Sequence, residues 1–328
     1  IRYSNFGFMI YNTFMNLIYL ASGTFGSLVL SHFKTKPNLV ITQKDKVGGR
    51  GMKQLIPTAV KQYCVENKIP FVEIENKEDL RLWILDPHNS NVYHLTSCVF
   101  LVCDFGLIIQ KELLDFAENR FINIHPSVLP LFRGPTPLQT ALMNGETETA
   151  VTVIQIDEKV DHGPILAQEK IVIDITDDTP ALMQKLAPLA ARTIETLLLY
   201  GTGMPVPYKQ DHTKATFTKK LAKEDSFVEI DTLVSYLHPL FKKFNLTHLL
   251  PLNPSSTSEW DVSPPLLGED KVGYFQSRIY NLIRALQPWP TVWSTLPNKK
   301  VLKITKASFT NNELLITECS MEGKRYKI

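Results

Sequence analysis

The chain has few cysteines, almost no net charge and, near its start, a long stretch without any acidic or basic side chain. Cysteines stand only at 64, 98, 103 and 319 of 328 residues, with no CxxC pair. This excludes a disulfide-framed secreted module and suits a reducing interior. Cys98 and Cys103 share one apolar run at an odd spacing, which predicts small hydrophobes on opposite faces of a strand. Lys and Arg number 35 against 33 Asp and Glu, a net of +2. A uniformly basic coat for nucleic acid is therefore excluded, but a local basic face is not. There is no internal repeat and no nucleophilic Ser or Cys elbow. His88 and His94 flank a loop without carboxylates at ligand spacing, so no metal is implied.

Tyr3 to Phe33 contains no Asp, Glu, Lys or Arg. The length suffices for a membrane span, which needs about 20 apolar residues. However, Asn5, Asn12, Asn16, Ser22, Gly23, Thr24, Gly26 and Ser27 interrupt it. The alternative is a buried strand over Asn16 to Ala21, a turn of small residues, and a helix from about Phe25; buried parallel strands read as unbroken apolar runs. The first dozen residues read as a truncated leader or an extension. A transit peptide would be Arg-rich, and Arg2 is the only arginine there.

Apolar residues make up 44% and charged residues 21%, ordinary globular values, and the length suggests two domains. Through the first two-thirds, strand-like runs (Leu39 to Ile41, Phe71 to Ile74, Cys98 to Cys103, Phe121 to Ile124) alternate with helical spacing at Thr58 to Asn67, Lys111 to Glu118 and Thr179 to Leu199. Val151 to Ile156 alternates, and Ile165 to Ile173 looks extended. This βαβ rhythm predicts an α/β, doubly wound, mostly parallel sheet. Gly201 to Pro207 breaks it. The expected division is a catalytic domain over 1–203, a linker over 204–213 and a small β-barrel domain over 214–328, with a Ser/Pro-rich excursion near 245–275. Residues 1–203 carry 18 basic and 21 acidic side chains, a net of −3; residues 204–328 carry 17 and 12, a net of +5. The basic half suits a phosphate backbone as well as it suits an ordinary solvated surface.

The densest signal is Phe121-Ile122-Asn123-Ile124-His125-Pro126-Ser127-Val128-Leu129-Pro130-Leu131-Phe132-Arg133-Gly134-Pro135. Proline cannot continue a central ladder, so the strand must end near His125. Asn123 and His125 are two apart and share a face. They stand at the carboxyl end of a strand, where open α/β sheets bind ligands. A second polar site, Asp161-His162-Gly163-Pro164, lies at a turn. Asn, His and Asp together suit acyl transfer between nitrogens: an amide N–H and an imidazolium donate to a tetrahedral oxyanion, and a carboxylate orients the ring. On spacing alone the same residues fit ordinary turns satisfied by their own backbone.

The run Asn123 to Pro130 resembles the signature of the enzymes that transfer formyl from 10-formyltetrahydrofolate, with Val128 where the family has Leu. The resemblance implies that Asn123, His125 and Asp161 are catalytic. It also implies that Phe105, Gly106, Ser127, Val128, Leu129, Pro130 and Asp157 bind the folate. Three further segments resemble the branch that acts on methionyl-tRNA. Ile41 to Gly51 resembles the loop inserted into the acceptor stem, with Arg50 as the tRNA contact. Thr218 to Asp225 and Ile283 to Pro290 resemble two runs of the OB-like carboxy-terminal domain. The function implied is formylation of methionyl-initiator tRNA by a monomeric cytoplasmic enzyme of bacterial type, or alternatively one of the mitochondrial matrix. The implied partners are tRNA and the folate co-substrate, with neither metal nor membrane. The alternative is a formyltransferase for a small amine such as glycinamide ribonucleotide or an amino sugar. Ala21 stands where the family begins its first turn with Gly, and His162 where it often has Thr or Ser. Trp289, between two prolines, reads as core packing.

Overall fold

The computed structural model of the chain describes residues 17–48, 54–86, 98–117, 119–199, 207–249, 271–311 and 313–327. Arg50, His88, His94, the first dozen residues and most of the Ser/Pro-rich excursion lie outside them.

The chain opens with strand β1 (Leu17–Leu20), helix α1 (Thr24–His32), β2 (Leu39–Gln43), a hairpin of β3 (Lys46–Gly48) and β4 (Gln54–Ile56), α2 (Ala59–Asn67), β5 (Phe71–Ile74) and α3 (Lys77–Leu85). It continues with β6 (Val99–Val102), α4 (Lys111–Ala117), β7 (Phe121–His125), α5 (Pro137–Asn144), β8 (Glu148–Gln155), β9 (Ile165–Val172) and α6 (Thr179–Leu199). The charge-free stretch therefore holds a strand and a helix. Among the described residues no helix is long and apolar enough to cross a membrane.

Seven strands form one sheet in the order β5-β2-β1-β6-β7-β8-β9. The first five are parallel, and β8 runs antiparallel to β7. β1 and β6 are buried at every residue, which explains why both read as unbroken apolar runs. Phe100 and Phe121 stack across β6 and β7 with centroids 4.4 Å apart, inside a core that includes Ile18, Leu20, Ile41 and Leu113. The chain winds outward from β1 one way and from β6 the other, so the switch in strand order falls between them. Crevices at such a switch bind ligands outside the carboxyl ends of the strands.

Local signals set the helix starts. Thr58 accepts from the Lys61 N–H at α2, and Asn76 accepts from the Glu78 and Asp79 N–H groups at α3. Helix α1 has no such residue of its own. Its Phe25 N–H is met by the Asp104 carboxylate, arriving from beyond β6.

The chain forms two compact units. The first comprises residues up to Gly134, Thr149–Ile171 and Met183–Phe217; the second comprises Pro135–Glu148, Val172–Leu182 and Thr218 onward. In the first unit, part of the stretch read as a linker is tied down: Tyr208 bridges Ile165, and Gln210 is buried. The second unit adds α7 (Ile230–Lys243), α8 (Lys271–Ala285), β10 (Trp293–Thr295), β11 (Val301–Thr310), β12 (Glu313–Met321) and β13 (Lys324–Lys327). The four strands make one antiparallel sheet in chain order. Buried Arg284 donates to the carbonyls of Asp174 and Asp177, fastening α8 to the Val172–Leu182 segment of the same unit. The expectation for Trp289 is corrected: its side chain is 60% exposed. The bond from the Thr291 N–H to the Leu286 carbonyl folds the chain back, and Leu286, Pro290 and Val292 take the buried positions instead.

Candidate active site

Strand β7 carries Asn123 and His125 to the carboxyl edge of the sheet, where Pro126 ends the ladder. The chain then turns tightly. Ser127 donates to the Leu131 carbonyl at 2.7 Å, and Thr152 donates to the Ser127 carbonyl. After β8 a second turn, Asp157 to Gly163, returns to this edge. Gly163 is required there, because a Cβ on it would stand 1.8 Å from the Gln155 carbonyl oxygen.

The two turns meet at Asp161. Its carboxylate accepts from the Gly134 N–H at 2.8 Å and from Asn123 Nδ2 at 3.3 Å, and it faces His125 Nδ1 at 3.5 Å. The far ring nitrogen, Nε2, lies 2.9 Å from the Phe132 carbonyl oxygen. His125 thus has an oxygen opposite each ring nitrogen. The His125 and Asp161 side chains are only 6% and 12% exposed, so their pairing is little weakened by water. Spacing and resemblance single out these three residues, and the structure brings them together.

The residues expected to hold a folate are distributed. Asp157 borders a cavity of about 210 Å³ with Phe121, Gln155, Glu158 and Lys111. Phe105 and Gly106 border another, of about 410 Å³, with Gly23, Gln43, Thr58 and Asp104. That cavity opens at the switch between β1 and β6. Ser127, Val128, Leu129 and Pro130 form the turn after His125 and line neither of these two cavities.

Several site neighbours have a role that the sequence does not announce. Arg133, 3% exposed, donates through Nε and Nη2 to Gln210 Oε1 at 3.2 and 2.6 Å, and through Nη2 to His212 Nδ1 at 2.9 Å. A guanidinium only donates, so His212 Nδ1 accepts. Desolvation, then the facing His162, Arg133 and Lys159, hold the His212 imidazole below its usual pKa. Its ring stacks on His162 at 3.8 Å, and His162 Nδ1 lies 2.6 Å from the Asp157 carboxylate. Asp104 is also unforeseen: the residue as a whole is exposed, but its carboxylate lies against Gly23 and the start of α1, and desolvation there, opposed by the Phe25 and Gly26 N–H groups, pushes its carboxyl up to about 6. Among the described residues, no three His, Cys, Asp or Glu side chains gather as metal ligands would.

Residues 15–197 match the family described as Formyl transferase, and residues 276–326 match its C-terminal domain. The methionyl-tRNA formyltransferase of Roseiflexus castenholzii is 32% identical over 76% of this chain and 77% of its own. That of Geobacter metallireducens is 30% identical over 87% of this chain and 74% of its own. Among solved structures, the methionyl-tRNA formyltransferase of Clostridium thermocellum superposes with a TM-score of 0.54 at 18% identity, covering 95% of this chain and 100% of the other. The sugar 3N-formyl transferase WlaRD gives 0.55 at 18% identity, covering 96% and 98%. Both share the fold.

Proposed function

This chain belongs to the formyl transferase family, and on that premise we propose that it transfers formyl from 10-formyltetrahydrofolate to the α-amine of methionyl-initiator tRNA, supporting the start of translation. The observation that carries the chemistry is the convergence of Asn123 and His125 on the Asp161 carboxylate at the open end of β7. Similarity to relatives named methionyl-tRNA formyltransferase supports the acceptor.

Formyl transfer between nitrogens needs no covalent enzyme intermediate. It needs donors aimed at the oxygen that becomes negative. Asn123 spends one amide N–H on Asp161 and offers the other to the formyl oxygen. His125, set between the Asp161 carboxylate and the Phe132 carbonyl, is the second polar group at this edge. The neutral amine attacks the formyl carbon, forming the new C–N bond as the carbonyl electron pair moves onto oxygen. Collapse breaks the bond to the folate nitrogen, which takes up a proton through water as the amine releases one.

Phe105, Gly106, the Ser127 to Pro130 turn and Asp157 would border the folate, and Arg50 would contact the tRNA. The catalytic role belongs to the amino-terminal domain, and the carboxy-terminal domain grips the acceptor. The enzyme works as a monomer in a bacterial cytoplasm or, alternatively, a mitochondrial matrix.

A formylation assay tests this reading. Methionyl-tRNA should be formylated in a folate-dependent reaction, and glycinamide ribonucleotide and amino sugars should not. Asn123→Ala or His125→Ala should lower kcat by roughly 10²–10³. Preference for a small amine, or near-normal turnover in either variant, would sink it.

A further inference from the structure

We infer that Gln210 is a positioning residue of the transferase site: its amide holds the backbone of the Asp161 turn and so sets the aim of the carboxylate on Asn123 and His125. The inference rests on the catalytic reading given above.

Asp161 adopts a positive φ of 49°, in the left-handed region. A residue with a side chain is rarely found there and is held by its surroundings. Gln210 supplies part of that constraint. Its Nε2 donates to the Asp161 carbonyl at 2.9 Å and to the Gly163 carbonyl at 2.7 Å. Both hydrogens of the amide are thus used, one on each side of His162.

The amide cannot serve the turn in any other orientation. Its oxygen accepts from two nitrogens of the buried Arg133, which has no acceptor to offer in return. Rotating the amide would set NH₂ against guanidinium and oxygen against two carbonyls. The residue after Arg133 completes the hold, because the Gly134 N–H binds the Asp161 carboxylate itself. One short segment, 133–134, therefore fixes the side chain of Asp161 directly and its backbone through Gln210. Gln210 is 5% exposed, so it acts through Asp161 rather than on a substrate.

The test uses the full chain with 10-formyltetrahydrofolate and methionyl-tRNA. Gln210→Met keeps the length and removes both donors. Gln210→Glu keeps the bond to Arg133 but cannot donate to the two carbonyls, and it carries the test if the Met variant does not fold. Each should lower kcat by about 10- to 100-fold, as a small displacement of a catalytic group does, with both KM values within about twofold of wild type. In an Asp161→Asn background the same substitutions should add little further loss, since Gln210 acts through that carboxylate. A purely structural residue would add its cost in either background.

If wild type transfers formyl and the variants match its kcat, the Gln210 inference alone is overturned. Full additivity with Asp161→Asn, or failure of both variants to fold, also overturns it in favour of a structural role. If wild type transfers no formyl to methionyl-tRNA, the reading beneath it falls as well.

Discussion

The Asp104 carboxylate occupies the space that a side chain on residue 23 would fill: a Cβ on Gly23 would stand 1.9 Å from Asp104 Oδ2. The same oxygen accepts from the Phe25 N–H at 3.1 Å, and the Gly23 N–H donates to the Asp104 carbonyl at 2.9 Å. The two residues lie on opposite sides of the switch between β1 and β6 and are fitted to one another. Gly23→Ala should expel the carboxylate from the helix end and cost about 1–3 kcal/mol. Asp104→Ala should cost about 1 kcal/mol through the lost cap. Urea unfolding of the double variant should show a loss smaller than the sum, because alanine at 104 removes the clash. Strict additivity would mean that the contact carries no energy.

Asp104 also predicts a pH dependence of stability. Its carboxyl titrates at about 6 in the fold, above the ordinary aspartate value. Ionisation is therefore harder in the folded chain than in the unfolded one. The contribution is fully present below the unfolded value and is lost as pH rises through about 6. Asp104→Asn keeps an acceptor for the Phe25 N–H and removes the charge. Melting temperatures measured from pH 4 to pH 8 should show the variant gaining on wild type as pH rises, with the gap closing toward pH 4. A constant offset across that range would contradict the assignment.

Asp161→Asn removes the negative charge opposite His125 while keeping the size of the side chain. Turnover should fall by roughly 10²–10³, the range for a lost electrostatic contribution to the oxyanion. Combined with Asn123→Ala it should lose far less than the product of the two single effects, since Asp161 acts in part by holding Asn123. Single-turnover rates with saturating methionyl-tRNA measure this directly, and multiplicative losses would mean that the two residues work independently.

Arg284 lies in the run whose resemblance points to a tRNA-binding domain, yet its guanidinium is buried in hydrogen bonds to Asp174, Asp177 and Asn281. Arg284→Met should destabilise the protein by about 2–4 kcal/mol, by removing charged donors from buried carbonyls. Affinity of the folded fraction for tRNA should stay near wild type, as a filter-binding titration would show. A stable variant with weakened tRNA binding would reverse this assignment.

The strands were legible because burial on both faces forces unbroken apolar runs, as in Leu17–Leu20 and Val99–Val102. The end of β7 was legible from Pro126, and the shared face of Asn123 and His125 from their spacing. Asp161 was visible as a polar residue at a turn, but only the resemblance paired it with His125, since nothing in an Asp-His-Gly turn says which histidine it will meet. Gln210 carried no signal at all. It sits 49 residues from Asp161 and 77 from Arg133, in a stretch that composition marks as a linker.

By itself the amino-acid sequence determined the parallel sheet, the break after His125 and the residue types for an oxyanion site, because these follow from local sterics and hydrophobic periodicity. Tertiary structure decided what is done with them. It gave helix α1 its cap from Asp104 and set Asp161 against His125. It turned Gln210 inward and left Trp289 outside. Each of these outcomes depends on atoms distant in the chain meeting within hydrogen-bond or van der Waals reach, and no local pattern encodes such a meeting.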